Sequence, residues 1–315
     1  MKISILALLT AFIFTNTLIG QFMEESITLT TEKGAIEGTL LIPESSGKIP
    51  VVLIIAGSGP TDRDGNSPMF SNNSLKMLAE GLHEDGIASL RFDKRGIGES
   101  RSAGLVEEKL RFENYIEDVI DWISLLKKDK RFSDLIVLGH SEGSLIGMIA
   151  CERSKATKFI SLAGAGFPAG EIIMNQLNAE QPESLIKQVS PIIKSLENGE
   201  TVEDVPQILF SLFRPSVQPY MISWFRYDPA QEISKLDCPI LIIQGTTDIQ
   251  VKVKDADMLA GASKNPEKII IYGMNHILKS AKLDKMENIA TYNNPDLPLN
   301  EKLIPEITAF IKSEN

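Results

Sequence analysis

The chain has 315 residues, of which 43% are hydrophobic and 23% are charged, a composition typical of a globular protein with one large core or two modest domains. The formal net charge is −10 and no run of Lys and Arg is present, which argues against binding to a nucleic acid backbone. The two cysteines, Cys151 and Cys238, are too few for a disulfide scaffold, and we expect two separate thiols rather than a bridge.

The first twenty residues differ in character from the rest of the chain. Lys2 is followed by residues 3–19 without a charge, and then by Gly20. A basic start, an apolar stretch and a small residue at its end are typical of a secretory signal peptide, so residues 1–20 are predicted to be removed. A retained anchor is the alternative, because the stretch is nearly long enough to span a bilayer. With cleavage, the protein is expected to be secreted or periplasmic, without stable insertion in a membrane.

Apolar runs and helix-period segments alternate along the remaining chain. Residues 27–42 alternate in polarity around Thr31 to Gly34, which predicts a hairpin of two strands. Six short apolar runs, most without alternation, are typical of strands buried on both faces of a parallel sheet: 51–56, 87–92, 135–138, 159–163, 240–243 and 268–272. Five segments have helical periodicity: 74–84, 112–127, 145–153, 251–259 and 304–312. This order predicts the α/β class, with a doubly wound and mostly parallel sheet.

One long interval breaks the alternation. Residues 164–234 contain no strand candidate, and amphipathic helical patterns occur around residues 172–177, 185–196 and 208–213. An insertion of this length is expected to be structured or functional, so we predict a helical cap over the sheet edge, with residues 21–163 and 235–315 forming the core. Four aromatic residues in the insertion either face a bound acyl group or form the core of the cap: Tyr220, Trp224, Phe225 and Tyr227.

The segment Gly139-His140-Ser141-Glu142-Gly143 lies between a predicted strand and a predicted helix. This strand–turn–helix context is the one that the nucleophile-elbow motif Gly-x-Ser-x-Gly requires. The flanking glycines allow strand and helix to approach closely, and the helix N-terminus points its positive end at the serine. Ser141 is therefore the candidate nucleophile.

A serine nucleophile requires a base, and the chain has three histidines. His83 lies within a predicted helix, and the side chain of His140 is expected to point away from the neighbouring Ser141. His276 follows the last predicted strand, where folds of this kind build their sites. We therefore assign His276 as the base, with a structural histidine as the alternative interpretation.

The base in turn requires a carboxylate, and the order expected for this fold is serine, acid, histidine. Asp248 follows the strand 240–243 and precedes His276, so it is the preferred acid. Four other aspartates lie in the same interval and are predicted to belong to the cap, to the opposite sheet edge, or to solvated helix faces: Asp228, Asp237, Asp255 and Asp257.

Two backbone amides are expected to bind the oxyanion that forms during acyl transfer. One is the amide of Glu142, the residue after the nucleophile. The other comes from the loop Gly57-Ser58-Gly59-Pro60, where we assign Ser58, with Gly59 as the near alternative. A plain Gly-Pro turn is the structural interpretation of this loop.

Two charged stretches receive structural interpretations. The segment Asp62-Arg63-Asp64 either lines the pocket or forms a charged turn that pairs with itself. Asp93 and Arg95 are expected to brace the loop after their strand.

Taken together, these motifs resemble those of the α/β-hydrolase family. The resemblance extends from Gly57–Asn66 through Arg91–Ser100 and the Ser141 elbow to Gln244–Asp248 and Gly273–His276. The chain looks like capped bacterial serine carboxylesterases, near the serine-aminopeptidase-like branch. It departs from many relatives at Ala56-Gly57, where they have His-Gly before the oxyanion residue.

The resemblance implies hydrolysis of small-molecule esters with small or medium acyl chains, through an acyl-enzyme and without metal or cofactor. An aminopeptidase on the same triad is the alternative. It needs a cap carboxylate for the substrate ammonium, with four candidates: Glu171, Glu180, Glu183 and Asp204. A thioesterase and a non-catalytic binding protein are further alternatives.

Overall fold

The computed structural model describes residues 23–313, so the predicted signal peptide lies outside the described residues. Eight strands form one sheet in the order β1-β2-β4-β3-β5-β6-β7-β8. Their bounds are β1 Glu24–Thr31, β2 Gly34–Leu41, β3 Ile49–Ile55, β4 Ala88–Phe92, β5 Phe132–His140, β6 Lys158–Leu162, β7 Ile240–Gly245 and β8 Pro266–Ile271. Within residues 23–313, no helix is both long and apolar enough to cross a membrane.

The α-helices connect these strands and cover both faces of the sheet. Their bounds are α1 Ser74–Glu84, α2 Phe112–Lys128, α3 Glu142–Ser154, α4 Ala169–Glu180, α5 Glu183–Glu197, α6 Phe210–Phe213, α7 Gln218–Phe225, α8 Pro229–Ser234, α9 Val253–Ala262, α10 Lys285–Ala290 and α11 Leu303–Lys312. The predicted strands and helices are all present, with ends shifted by a few residues. Helices α7, α8 and α10 were not predicted.

The sheet is antiparallel only at one end. Strands β1 and β2 form the predicted hairpin, with Thr31 opposite Gly34, and β2 pairs antiparallel with β4. All other neighbours are parallel. The chain runs from β3 to β4 on one side and then returns to β5 on the other side of β3. Ligand sites of open α/β sheets form at such a switch point, outside the carboxyl ends of the strands.

Burial on both faces explains why the central strands are apolar without alternation. On β3, Val51, Leu53 and Ile55 pack on one face with α2 and α3. Val52 and Ile54 pack on the opposite face with α1 and α11. Each strand residue thus faces one of two hydrophobic layers, as in parallel sheets generally.

Five helices, α4 to α8, occupy the interval between β6 and β7. Helices α4 to α6 correspond to the three amphipathic patterns of the sequence, whereas α7 and α8 lie in a stretch for which no element was predicted. The inward-facing residues form a hydrophobic cluster of their own, separate from the two layers of the sheet, which includes Val189, Leu196, Phe213 and Met221. We call residues 164–234 the cap.

The charged loops after β3 and β4 brace each other. The Asp93 carboxylate accepts hydrogen bonds from the backbone amides of Arg63 and Glu99. Arg63 forms ion pairs with Asp93 and Glu99, so of the two interpretations of residues 62–64 the charged turn that pairs with itself was wrong. Strand β4 lies beside β3 in the sheet, so the loop after β4 supplies Arg63 with ion-pair partners that are distant in sequence. Arg95 pairs with buried Asp118, in agreement with its expected bracing role.

Candidate active site

Ser141 lies at a sharp turn between β5 and α3. The strand ends at His140 and the helix begins at Glu142, so only one residue connects them. Ser141 has φ 56° and ψ −121°, in a region that residues with a side chain rarely adopt. Its amide donates a hydrogen bond to the Leu162 carbonyl on the neighbouring strand at 3.0 Å, which holds the strained residue in place.

The two glycines of the elbow are required by close backbone contacts. A Cβ at Gly139 would lie 2.2 Å from the Gly143 carbonyl oxygen. A Cβ at Gly143 would lie 2.4 Å from the Ile55 carbonyl oxygen of β3. Both separations are far below van der Waals contact, so the turn cannot form with larger residues. Close backbone contacts with α3 and β3 thus fix the position of the elbow.

Ser141, His276 and Asp248 form a continuous hydrogen-bonded chain. His276 Nε2 lies 3.2 Å from Ser141 Oγ, and His276 Nδ1 lies 2.8 Å from Asp248 Oδ2. Because Nδ1 faces a carboxylate, it carries the proton and donates it, which leaves Nε2 free to accept from the serine hydroxyl. This arrangement can activate a serine for attack on a carbonyl carbon.

Asp248 is buried but well provided with donors. Its Oδ1 accepts hydrogen bonds from the amides of Gln250 and Val251 at 2.8 and 2.9 Å, and Gln244 Nε2 donates to Oδ2 at 2.9 Å. Burial by itself raises the pKa of Asp248, but His276 and the backbone donors outweigh it and leave the pKa lowered. Asp248 therefore stays ionised beside the imidazole.

A close backbone contact also fixes the two loops that carry the acid and the base. A Cβ at Gly245 would lie 1.9 Å from the carbonyl oxygen of Met274. Gly245 precedes Asp248 by three residues and Met274 precedes His276 by two. The contact between the loops after β7 and β8 thereby sets the distance between carboxylate and imidazole.

His140 takes part in the site, although the sequence assigned it no role. Its Nε2 donates to the carbonyl oxygen of His276 at 2.8 Å, and the two rings lie 4.9 Å apart. Burial, and secondarily the nearby His276, lowers the pKa of His140 to about 4, so it is neutral at pH 7. Its hydrogen bond therefore supports the loop that carries His276.

The predicted oxyanion donors lie close to Ser141 in the structure. The loop after β3 passes so close that a Cβ at Gly57 would lie 3.1 Å from Ser141 Cβ. Ser58 and Glu142 line the same cavity as Ser141. Within residues 23–313, their backbone amides donate no hydrogen bond. Two unpaired donors beside the nucleophile are suited to binding an oxyanion.

The side chain of Glu142 is buried and paired, a feature the sequence did not predict. Its Oε2 accepts from Lys94 Nζ at 3.2 Å, and its Oε1 accepts from the Tyr220 hydroxyl of the cap at 2.6 Å. Burial and the neighbouring Glu142 carboxylate raise the pKa of Tyr220, so the hydroxyl stays protonated and donates.

Two cavities meet at Ser141. The larger, of about 520 Å³, lies between the elbow and the cap. Apolar side chains form much of its wall: Leu145, Phe167, Ile172, Ile173, Met221 and Trp224. The smaller, of about 220 Å³, lies beside His140 and His276 and is lined also by Phe70 and Tyr292. A substrate bound across Ser141 has room for a different group on each side.

The four cap aromatics divide between the two roles considered for them. Tyr220 and Trp224 line the larger cavity, and they also pack against Phe112 of the core. Tyr227 packs on Phe112 and donates to Glu113, without lining that cavity. Phe225 packs against Trp224.

Of the four acidic residues considered for binding a substrate ammonium, the three with described side chains lie away from the cavity. Glu171, Glu183 and Asp204 are exposed and do not line the cavity beside Ser141, and the side chain of Glu180 lies outside the described part.

Asp255, predicted on a solvated helix face, is buried and accepts from the amides of Gly166 and Lys252 at 2.9 Å. That expectation was wrong because the loop after β6 covers the start of α9.

Among residues 23–313, no group of three or more His, Cys, Asp and Glu side chains is placed to hold a metal ion. Cys151 and Cys238 are both free thiols.

Comparison with known proteins supports this description. The model of the family described as Serine aminopeptidase, S33 matches residues 71–202, which include the elbow but neither Asp248 nor His276. Esterase EstD of Thermotoga maritima is 32% identical over 266 residues, covering 83% of this chain. The chain spans 61% of the length of that relative.

Solved structures show the same fold at low sequence identity. Est1E of Butyrivibrio proteoclasticus, in a structure with bound ferulic acid, has a TM-score of 0.60 at 18% identity and covers 91% of this chain and 96% of its own. An esterase of Pyrococcus furiosus has a TM-score of 0.56 at 18% identity and covers 92% of both chains. By these similarities, the chain has the α/β-hydrolase fold and resembles esterases in sequence.

Proposed function

We propose that the protein is a serine carboxylesterase that hydrolyses small-molecule esters of small or medium acyl chains. The observation that carries this proposal is the hydrogen-bonded chain Ser141–His276–Asp248, which opens onto an apolar cavity beneath the cap. The esterase named among its relatives, at 32% identity, supports the same class of reaction.

Each residue has a role in the proposed reaction. Ser141 Oγ attacks the ester carbonyl while its proton moves to His276 Nε2, and the amides of Ser58 and Glu142 bind the oxyanion. The bond from carbon to the alcohol oxygen then breaks, and the alcohol takes the proton from His276. Water, deprotonated by His276, attacks the acyl-enzyme and releases the carboxylic acid and free Ser141. Asp248 holds the imidazole and stabilises its protonated form throughout.

The two cavities are assigned to the two halves of the ester. The larger, apolar cavity beneath the cap accepts the acyl chain, because its wall offers hydrophobic contact along its length. The smaller cavity beside His276 accepts the alcohol, which must leave close to the imidazole that protonates it.

The test is hydrolysis of p-nitrophenyl esters from acetate to laurate by the wild type and by Ser141→Ala. We expect the wild type to hydrolyse these esters and the variant to lose about 10⁴-fold or more of the activity. The wild-type rate should be highest at the acyl length that fills the larger cavity. Cleavage of aminoacyl amides without turnover of esters would instead support an aminopeptidase. Absence of both activities would contradict the proposal.

We further propose that the protein is exported, since residues 1–20 carry the pattern of a signal peptide. N-terminal sequencing of protein recovered outside the cytoplasm tests this. A mature chain that begins near residue 21 is expected, and recovery of the intact N-terminus in the cytoplasm would contradict it.

A further inference from the structure

Lys94 is a buried lysine that none of the steps above uses. It follows β4, and its side chain is only 2% exposed. Its ammonium group donates to the carbonyl oxygen of Gly57 and to Glu142 Oε2, and it lies 5.2 Å from the centre of the Tyr115 ring. A buried ion pair stabilises a fold weakly, because desolvation offsets the attraction, so its contribution to folding does not account for this lysine.

The carbonyl that Lys94 holds belongs to the same peptide group as the amide of Ser58. A trans peptide is planar, and its C=O and N–H point in opposite directions. With Lys94 on the carbonyl side, the Ser58 N–H faces away from Lys94, where Ser58 lines the cavity with Ser141. A cation on the carbonyl oxygen also polarises the peptide and makes its N–H a stronger donor.

The second oxyanion donor is tied to the same lysine. Glu142 supplies its amide to the cavity and its carboxylate to Lys94. The other carboxylate oxygen accepts from the Tyr220 hydroxyl on α7 of the cap. One buried ion pair therefore connects both oxyanion donors, and Tyr220 connects that pair to the cap.

We propose that Lys94 is a positioning residue for the oxyanion hole, and that Tyr220 couples the seating of the cap to it through Glu142. This inference rests on the proposed function, since it presupposes that the Ser58 and Glu142 amides bind an oxyanion. Lys94 acts through the Gly57–Ser58 peptide, without touching the substrate. The cap thus influences the chemical step as well as substrate binding.

Lys94→Met removes the ammonium group while keeping most of the side-chain volume. We expect kcat for p-nitrophenyl esters to fall by about 10-fold to 100-fold, less than the loss of a whole oxyanion donor, with KM changed by less than about 2-fold. Lys158→Met is the matched control. Lys158 is also buried and donates to the backbone carbonyls of Phe310 and Ile311, but at the amino end of β6, away from the site.

The rate of labelling of Ser141 by a fluorophosphonate provides a second readout that needs no ester substrate. Phosphonylation also develops charge on an oxygen, so the maximal labelling rate should fall with kcat while the probe concentration for half-maximal rate stays constant. A merely structural role for Lys94 would lower the melting temperature of both lysine variants and leave both rates of the folded protein unchanged. That result would overturn the proposal.

Two further variants keep the test decisive if Lys94→Met does not fold. Glu142→Gln preserves shape and backbone amide but removes the carboxylate that holds Lys94, and it should lower both rates by about 10-fold. Tyr220→Phe should lower them less, and in Lys94→Met it should have no further effect, because both act through one connection. Additive losses would overturn the coupling to the cap. Labelling that depends on Lys94 without ester turnover would refute only the esterase assignment.

Discussion

Ser141 and the cap border the same cavity, but the proposed triad and the cap are held in different ways. Ser141, Asp248 and His276 sit within a few residues of strand ends, and backbone contacts that exclude even a Cβ at Gly143 and Gly245 fix their loops. The cap has its own hydrophobic cluster. Apart from its first residues, where the Gly166 backbone lies against Asp255, it reaches the core through side chains. These contacts include Tyr220 to Glu142, Arg214 to Glu107 and Tyr227 to Glu113.

Apart from the contact of Tyr220 with Glu142, this difference separates the residues proposed for the chemical step from those proposed for substrate selectivity. Backbone contacts between neighbouring strands cannot change without deforming the sheet, so the triad geometry is insensitive to surface substitutions. Side-chain contacts can be exchanged one at a time, so the cap can alter the cavity without displacing the triad. Substitutions in the triad loops should therefore reduce all activities together, whereas substitutions in the cap, except at Tyr220, should change the preference among substrates.

The largest effect is expected for Asp248→Asn, which changes the proposed triad, the region that backbone contacts hold in place. The amide loses the charge that stabilises protonated His276 and favours the wrong imidazole tautomer, so kcat should fall by about 10³-fold to 10⁴-fold on every ester. Steady-state kinetics across the acyl series measures this. A loss confined to long acyl chains would contradict the assignment of Asp248.

Gly245→Ala tests whether the backbone contact itself aligns the triad. The added Cβ would lie 1.9 Å from the Met274 carbonyl oxygen, so the Asp248 and His276 loops must separate. We expect a loss of about 10²-fold in kcat/KM and a lower melting temperature, in line with the sensitivity of catalysis to small displacements. Gly261→Ala on α9, where nothing lies within 4 Å, is the control and should leave kcat/KM unchanged. Equal behaviour of the two variants would refute the argument.

His140 should make the stability of the triad region depend on pH. Its pKa is lowered to about 4 in the folded protein, while in the unfolded chain it titrates near 6.5. Between these values the unfolded chain binds more protons, so the free energy of unfolding falls as pH decreases, by up to about 3 kcal/mol. Urea titrations at pH 7 and pH 4.5 measure it. His140→Gln should show a smaller decrease, and an unchanged pH dependence would contradict the prediction.

Trp224→Ala tests whether the cap sets the preference for acyl length. The ring lines the larger cavity and stacks on Phe112 with 6.0 Å between ring centres. We expect kcat/KM to fall by about 10-fold for medium acyl chains and much less for acetate, because only the longer chains reach this wall. Phe225→Ala, on the same helix but outside the lining, should affect all esters alike. A uniform loss in Trp224→Ala would place the acyl chain elsewhere.

The smallest effect is expected at the rim of the cap. Glu107 accepts from Arg214 and Ser216, and the hydrogen bond from Arg214 is the main cause of its lowered pKa. The pair is about one-third exposed, so Glu107→Gln should destabilise the protein by less than about 1 kcal/mol and raise KM by less than about 3-fold. Glu183→Gln, which breaks an exposed pair with Lys187 inside α5, is the control. A large loss of kcat would show that this contact also acts on the chemical step.

The sequence by itself determined the strands, the elbow and the order of the candidate triad residues. Apolar runs without alternation indicate two-sided burial, and Gly139 and Gly143 around Ser141 indicate a turn with no space for side chains. Asp248 and His276 follow strands, and strand ends converge at one sheet edge. These are local signals, and local signals are readable from a single chain.

Only the tertiary structure decided which distant residues meet. Lys94 and Tyr220 are 48 and 78 residues from Glu142, and His140 lies 136 residues from the carbonyl that it binds. Asp255 has the sequence pattern of a solvated acid, yet the loop after β6 buries it. Such pairs depend on strand order and on where the cap settles. The periodicity of a sequence indicates whether a side chain is buried, but it does not indicate which residues that side chain contacts.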